Sequence, residues 1–297
     1  MAQRVDYGVD YDVDYDVDHS VNMAQPPTKI NDFDRIFYIN LDRRPERDSN
    51  VKAQLKNAGL LQIAERVSAV DGSKLDLDMV KPIITKKGVD DALGQTNAFG
   101  ISLTRGAIGC AMSHRSIWIR IRDDPEVKSA LILEDDIDID RDFIRKFNKY
   151  RRFVPLNYDV LFLGYHPASM KYFSKDENQA FVRSEKVYGL FGYIVTKQGA
   201  EKLLKMFPIS EQVDTALYKC VNKYGVNAYL LKPELRLITS EPSEVAKKFG
   251  SDIQQIKEGF PSDSVVTDMT YLLIVVALAL LITMLIRTLI DPKSAEV

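Results

Sequence analysis

Apolar residues in this chain gather in short runs separated by amphipathic stretches. Residues 35–41 form a run of strand length. Pro45 then suits the first turn of a helix, Glu46 and Asp48 sit near its positive end, and Gly59 falls just past its close. Further strands are predicted at 66–70, 130–133, 159–164, 188–195 and 226–231. Helices are predicted at 109–122, 140–151, 198–207 and 211–224. Strands alternating with helices predict an α/β protein, a mixed but mostly parallel sheet flanked by helices. The stretch 81–104, with Gly88, Gly94 and Gly100, reads as a mobile lid or acceptor loop, or equally as a structural insert.

Both termini break this pattern. From Val5 the chain reads VDYG, VDYD, VDYD, VDHS, a degenerate repeat carrying six aspartates. Dense like charge and little apolar mass predict disorder, and no basic n-region or apolar h-region marks a signal peptide. Met1-Ala2-Gln3 recurs as Met23-Ala24-Gln25, which allows a start at Met23 or a duplicated start. Near the other end, sixteen uncharged residues precede Arg287. Roughly 20 residues at about 1.5 Å each cross a hydrocarbon core of about 30 Å. The expectation is a C-terminal transmembrane helix over 271–290, a tail anchor that leaves the preceding domain facing the cytosol. The domain organisation expected is an acidic tail at 1–28, one folded domain at 29–243, a polar stalk at 244–270, the membrane span and a short tail at 291–297.

Composition narrows the function. Hydrophobic residues make up 45% and charged residues 28% of the chain, which permits a substantial core. A net charge of −2 supplies no field to attract nucleic acid, and none is expected as a partner. Two cysteines, Cys110 and Cys220, do not make a disulfide framework.

The chemistry concentrates in LILEDDIDID, residues 131–140. A buried strand there would deliver Glu134, Asp135 and Asp136 to its carboxyl end, where open α/β sheets bind ligands. Converging carboxylates repel unless a cation joins them, and a hard ion such as Mg²⁺ or Mn²⁺ takes such oxygens. The rival reading is a solvated end to a buried strand. Asp136-x-Asp138-x-Asp140 opens like a calcium loop, but Arg141 stands where that loop needs glycine and Phe147 where it needs glutamate. Cys110, His114, Ile117 and Ile121 share one helical face, so His114 is either a packed core histidine or a site residue.

IFYINLDRRPERD (36–48), AVDGSKL (69–75), GAIGCAMSHRSIWIRI (106–121) and ALILEDDID (130–138) together resemble glycosyltransferase family 25. YGLFGYIVTKQGAEKLL (188–204) and QVDTAL (212–217) add a weaker match. The family includes lipooligosaccharide sugar transferases and collagen galactosyltransferases. The resemblance implies a GT-A-like fold and inverting, metal-dependent transfer of a hexose, galactose or glucose, from a UDP-sugar to a glycan, lipid or protein hydroxyl. It implies Glu134 and Asp136 as metal ligands and Asp214 as the base. Asn40, Leu41, Arg44, Asp71, Ser113, His114 and Asp135 would lie about the donor, Asp135 touching ribose or fixing the loop. Asp214 reads equally as an N-terminal helix carboxylate. Two departures stand out. Gly189-Leu190-Phe191-Gly192-Tyr193 lacks the family's Gly-Thr, and no histidine follows His166 to complete a metal shell. A catalytically degenerate, membrane-tethered binding protein is therefore the alternative. A cytosol-facing transferase on a tail anchor would suit a host or virion membrane.

Overall fold

The computed structural model describes residues 33–94, 103–173, 178 and 180–240. Its elements run β1 (Arg35–Asn40), α1 (Pro45–Asn57), β2 (Ala64–Ser68), α2 (Leu77–Val80), α3 (Lys86–Ala92), α4 (Arg105–Asp123), β3 (Ser129–Leu133) and β4 (Asp138–Ile139). They continue with α5 (Phe143–Tyr150), β5 (Val160–Gly164), β6 (Phe181–Arg183), β7 (Gly192–Thr196), α6 (Lys197–Leu204), α7 (Val213–Tyr224), β8 (Ala228–Leu231) and β9 (Ile238–Thr239). Seven strands form one sheet in the order β2-β1-β3-β7-β5-β8-β6, and β4 pairs with β9 beside it.

Every residue of β3 and β5 is buried, because helices cover both faces of the sheet. On one face Ile36, Tyr38, Leu131 and Leu133 pack with Val51 and Leu55 of α1 and Phe143 and Phe147 of α5. Fully buried Trp118 sits with Ile117 and Ile121 on α4. Each such side chain contributes roughly 1.5–3 kcal/mol on burial. Threonines start the helices as the sequence demands: Thr104 Oγ1 accepts from Ala107 N at 3.0 Å and Thr196 Oγ1 from Gly199 N at 2.9 Å.

This is a GT-A-like mixed α/β fold with flanking helices, and one expectation about its sheet needs correction. Strand β1 is parallel to β2 and β3, and β5 is parallel to β8. But β7 runs antiparallel between β3 and β5, and β6 antiparallel to β8. The sheet is evenly mixed rather than mostly parallel. A strand buried on both faces shows the same apolar run in either direction, so its sense is invisible in the pattern. The alternation also missed β4, β6 and β9, which are two or three residues long.

The C-terminal transmembrane helix is likewise corrected. No helix among the described residues is long and apolar enough to cross a membrane, and 271–290 lies outside the described residues. Hydropathy registers apolar composition; it does not show that a helix forms. The membrane partner, the tail-anchored topology and the cytosol-facing localisation rested on that span alone, and the described residues give them no support. The expected acidic tail, stalk and short C-terminal tail also lie outside the described residues. Within 81–104, residues 81–94 form a packed insert: α3 is capped by Thr85, Ile84 bridges to Ile209, and Val89 is buried.

Candidate active site at the end of strand β3

Strand β3 ends at Leu133, and Glu134 N still donates to Phe191 O at 3.1 Å. The pairing thus carries the acidic cluster one residue past the strand, beside the end of β1. There Asn40 is buried and uses its whole amide. Its Nδ2 donates to Asp135 Oδ2 at 2.8 Å and to Arg44 O at 3.0 Å, while its Oδ1 accepts from Arg66 Nε at 3.0 Å and Nη2 at 2.7 Å. One side chain so ties together the turn after β1, strand β2 and the cluster.

Asp135 is buried as well, and Arg47 Nη1 donates to its Oδ1 at 2.9 Å. Burial pushes its carboxyl above the usual range, against the opposing pull of Arg47 and Asn40. Asp136 lies 3.7 Å from the same Arg47 nitrogen. Its pKa is pushed up to about 7, first by burial and then by the charge of Glu134. Arg47 stands in the first turn of α1, within the motif 36–48. It is a buried counter-ion to the cluster.

Glu134 faces helix α4. Its Oε1 lies 3.1 Å from His114 Nε2, and His114 Nδ1 lies 2.9 Å from the Tyr193 hydroxyl, which also accepts from Trp118 Nε1 at 2.9 Å. His114 is fully buried. One ligand atom each from Cys110, His114 and Glu134 lie within 4.8 Å of one another, so this trio could hold a metal ion. Burial pushes the Cys110 thiol well up, and Glu134, Asp214 and Asp136 push it further. It is therefore a poor ligand until a cation displaces its proton. Cys110, His114 and Trp118 recur at four-residue spacing on α4. That spacing was the available signal for Cys110 and His114; Tyr193 stood out only as part of the weaker motif at 188–204.

The AVDG and GAIGC stretches interlock backbone to backbone. A Cβ on Gly72 would stand 2.1 Å from Arg105 O, and one on Gly109 2.4 Å from Val70 O. Ser113 Oγ donates to Gly109 O at 2.7 Å and accepts from Val70 N at 2.9 Å, pinning this contact. Asp71 caps the next turn through Ser73 and meets Arg43 Nε at 3.2 Å; the Ser73 hydrogen bond holds its carboxyl below the usual range. Leu41 O accepts from Arg44 N at 2.8 Å in the turn after β1, and Arg44 Nη1 reaches Glu46 at 3.5 Å.

Asp214 is the second residue of α7, whose N-cap is Gln212. Its Oδ1 accepts from Thr215 N at 2.7 Å and its Oδ2 from Gly189 N at 3.4 Å. Gly189 has φ +81, which its missing side chain permits. Burial raises the Asp214 pKa and the charge of Glu134 raises it further, so the two carboxylates share one electrostatic neighbourhood. Outside the cluster, Asp140 Oδ1 accepts from Asp142 N at 2.8 Å and Phe147 is core. His166 Nδ1 accepts from Ala168 N at 3.2 Å.

A mixed sheet that delivers carboxylates from the end of a central strand, beside an asparagine-anchored turn, defines a GT-A-like protein. The chain belongs to glycosyltransferase family 25: the model described as "Glycosyltransferase family 25 (LPS biosynthesis protein)" matches residues 33–217. It is 28% identical over 221 residues to procollagen galactosyltransferase 1 of Danio rerio, covering 71% of this chain and 35% of that one. It is 32% identical over 228 residues to a glycosyltransferase 25 family member of Drosophila pseudoobscura pseudoobscura, covering 70% and 34%. It is also 27% identical over 239 residues to the inactive glycosyltransferase 25 family member 3 of Mus musculus, covering 74% and 38%. The chain thus spans about a third of the length of these relatives. They are animal proteins, and the virion setting expected from sequence finds no support in them.

Proposed function

We propose that this protein transfers a hexose from a UDP-sugar to an acceptor hydroxyl with inversion, aided by a divalent cation. The observation that carries the reading is the state of the acidic cluster. Asp135 is matched by Arg47 and Asn40, whereas burial and the neighbouring charge of Glu134 raise the pKa of Asp136. Two oxygen ligands in that condition fit Mn²⁺ or Mg²⁺. Glu134 and Asp136 would hold the ion, which would offset the charge gathering on the nucleoside diphosphate as it leaves.

The remaining roles belong to the chain's own groups. Asn40 and Asp135 hold the turn 41–44 against the cluster, which sets where Leu41 and Arg44 meet the nucleotide. Ser113 and Asp71 hold the loop after β2. Asp214 takes the proton of the acceptor hydroxyl, a role helped by its raised pKa. Galactose is the favoured sugar, because that is the sugar in the names of several relatives, and a protein hydroxyl is the favoured acceptor for the same reason.

The second reading, a degenerate transferase fold that binds without turnover, is favoured by the likeness to the inactive mouse member. One experiment separates them: release of nucleoside diphosphate from UDP-galactose and UDP-glucose, with Mn²⁺ or chelator, in wild type and Asp136→Ala. Turnover that needs both the metal and Asp136 supports the transferase. Folded protein that neither turns over nor binds any donor sinks it and leaves the binding protein.

A further inference from the structure

We propose that Tyr193 and Trp118 are positioning residues: they fix His114 as the tautomer protonated on Nε2, so that it donates to Glu134 instead of ligating the metal. The inference rests on reading Glu134 as part of the donor site. The indole of Trp118 can only donate, so its bond to Tyr193 Oη at 2.9 Å makes the phenol oxygen an acceptor there. The phenol proton must then go elsewhere. Among the described residues, the one remaining partner of Tyr193 Oη is His114 Nδ1, at 2.9 Å. Burial holds the Tyr193 phenol well above its usual range, so that proton stays on the oxygen.

Nδ1 is therefore the acceptor of the Tyr193 proton, and the imidazole proton sits on Nε2. That proton points at Glu134 Oε1, 3.1 Å away, and the carboxylate oxygen accepts it. The chain of donors runs one way: Trp118 to Tyr193, Tyr193 to His114, His114 to Glu134. All three donors are fully buried, so water does not offer a competing partner.

The arrangement decides between two uses of His114. To bind a cation through Nε2, the ring must move its proton to Nδ1. Tyr193 Oη would then accept from both Trp118 and His114, and its own proton would be buried without an acceptor among the described residues. A buried donor left without an acceptor disfavours that arrangement. The relay thus holds His114 outside the ligand shell, despite its closeness to Cys110 and Glu134. It fixes one Glu134 oxygen by hydrogen bonding and leaves the other for the cation. Outer partners of this kind hold their ligands in register.

Selective ¹⁵N-histidine labelling of the full chain gives only three imidazoles to assign, those of His19, His114 and His166. Replacing His19 and His166 singly assigns them. The expected spectrum has His114 protonated on Nε2 and bare on Nδ1, unchanged in kind when Mg²⁺ is added. Tyr193→Phe removes the proton held to Nδ1, and the signal should move toward the other tautomer. Mg²⁺ affinity, read by titration calorimetry, should fall about 10-fold or more. A wild-type proton on Nδ1, with or without Mg²⁺, overturns the proposal, as does a Tyr193→Phe spectrum identical to wild type. If Tyr193→Phe does not fold, the wild-type spectrum with and without Mg²⁺ still decides. Neither readout needs turnover, so a failed transferase reading and a failed relay give different results.

Discussion

Arg47 Nη1 lies 2.9 Å from Asp135 Oδ1, and both side chains are buried at the foot of the acidic cluster. The guanidinium also stands 3.7 Å from Asp136. It comes from the first turn of α1, three residues after the strand–helix turn that Asn40 holds. A cluster of three adjacent acids is therefore built around one buried cation, which pairs with Asp135 and stands beside Asp136.

Removing that internal cation should be costly. Arg47→Met leaves Asp135 buried without its cation, held only by Asn40, and the expected loss of stability is on the order of 3–5 kcal/mol. Burial already raises the Asp135 pKa, and losing Arg47 raises it further. The loss should therefore be larger at pH 7 than at pH 5. Urea unfolding at the two pH values measures both; a loss below about 1 kcal/mol at pH 7 would remove the pair from the account.

Asp136 sets a pH dependence with a definite sign. Its folded pKa, about 7, lies above the ordinary 3.8, so the folded state binds this proton more tightly than the unfolded chain does. Its contribution to stability is present below pH 3.8 and is lost as pH rises toward 7. A divalent cation replaces the proton, so Mn²⁺ should cancel the decline and its own affinity should climb over the same range. Unfolding midpoints from pH 4.5 to 7.5, with chelator and with Mn²⁺, check this. Parallel curves in the two conditions would count against a metal on Asp136.

The glycine contact between α4 and the loop after β2 should tolerate no side chain. Gly109→Ala places a methyl 2.4 Å from Val70 O, which is backbone and does not swing aside. The expected loss is about 1–3 kcal/mol. Gly225→Asn makes the contrast: φ is +63, but nothing lies within 4 Å of the added Cβ, and asparagine accepts that conformation. Thermal melts should show a clear drop for the first and a small one for the second.

Asp214→Asn tests the base. The expected fall in kcat/KM is about 10²–10⁴-fold with donor binding retained. A helix-terminal role alone would lower stability by about 1 kcal/mol and leave turnover near wild type. Steady-state kinetics beside a denaturation curve distinguish the two.

The site was partly legible before the fold was known. The apolar run 130–133 ahead of three acids pointed to carboxylates at a strand end, and β3 with Glu134 lies there. The Pro45 start and the Gly59 exit of α1 held to within two residues, because helix ends obey local backbone chemistry. Helix α5 was shorter than its pattern, since Asp140 to Asp142 form a turn of their own.

By itself the sequence determined what depends on neighbours along the chain: the strands and helices, their caps, the placing of acids at a strand end and the family motifs. Tertiary structure alone decided what depends on residues meeting across the sheet. The direction of β7, the burial of Arg47 against Asp135 and the Tyr193–His114–Glu134 relay all join positions tens of residues apart. A hydrogen bond or an ion pair takes its worth from its partner and from exclusion of water. No local pattern encodes either, so Tyr193, which the sequence marks only as part of a weak motif, becomes, once folded, the group that decides where the His114 proton sits.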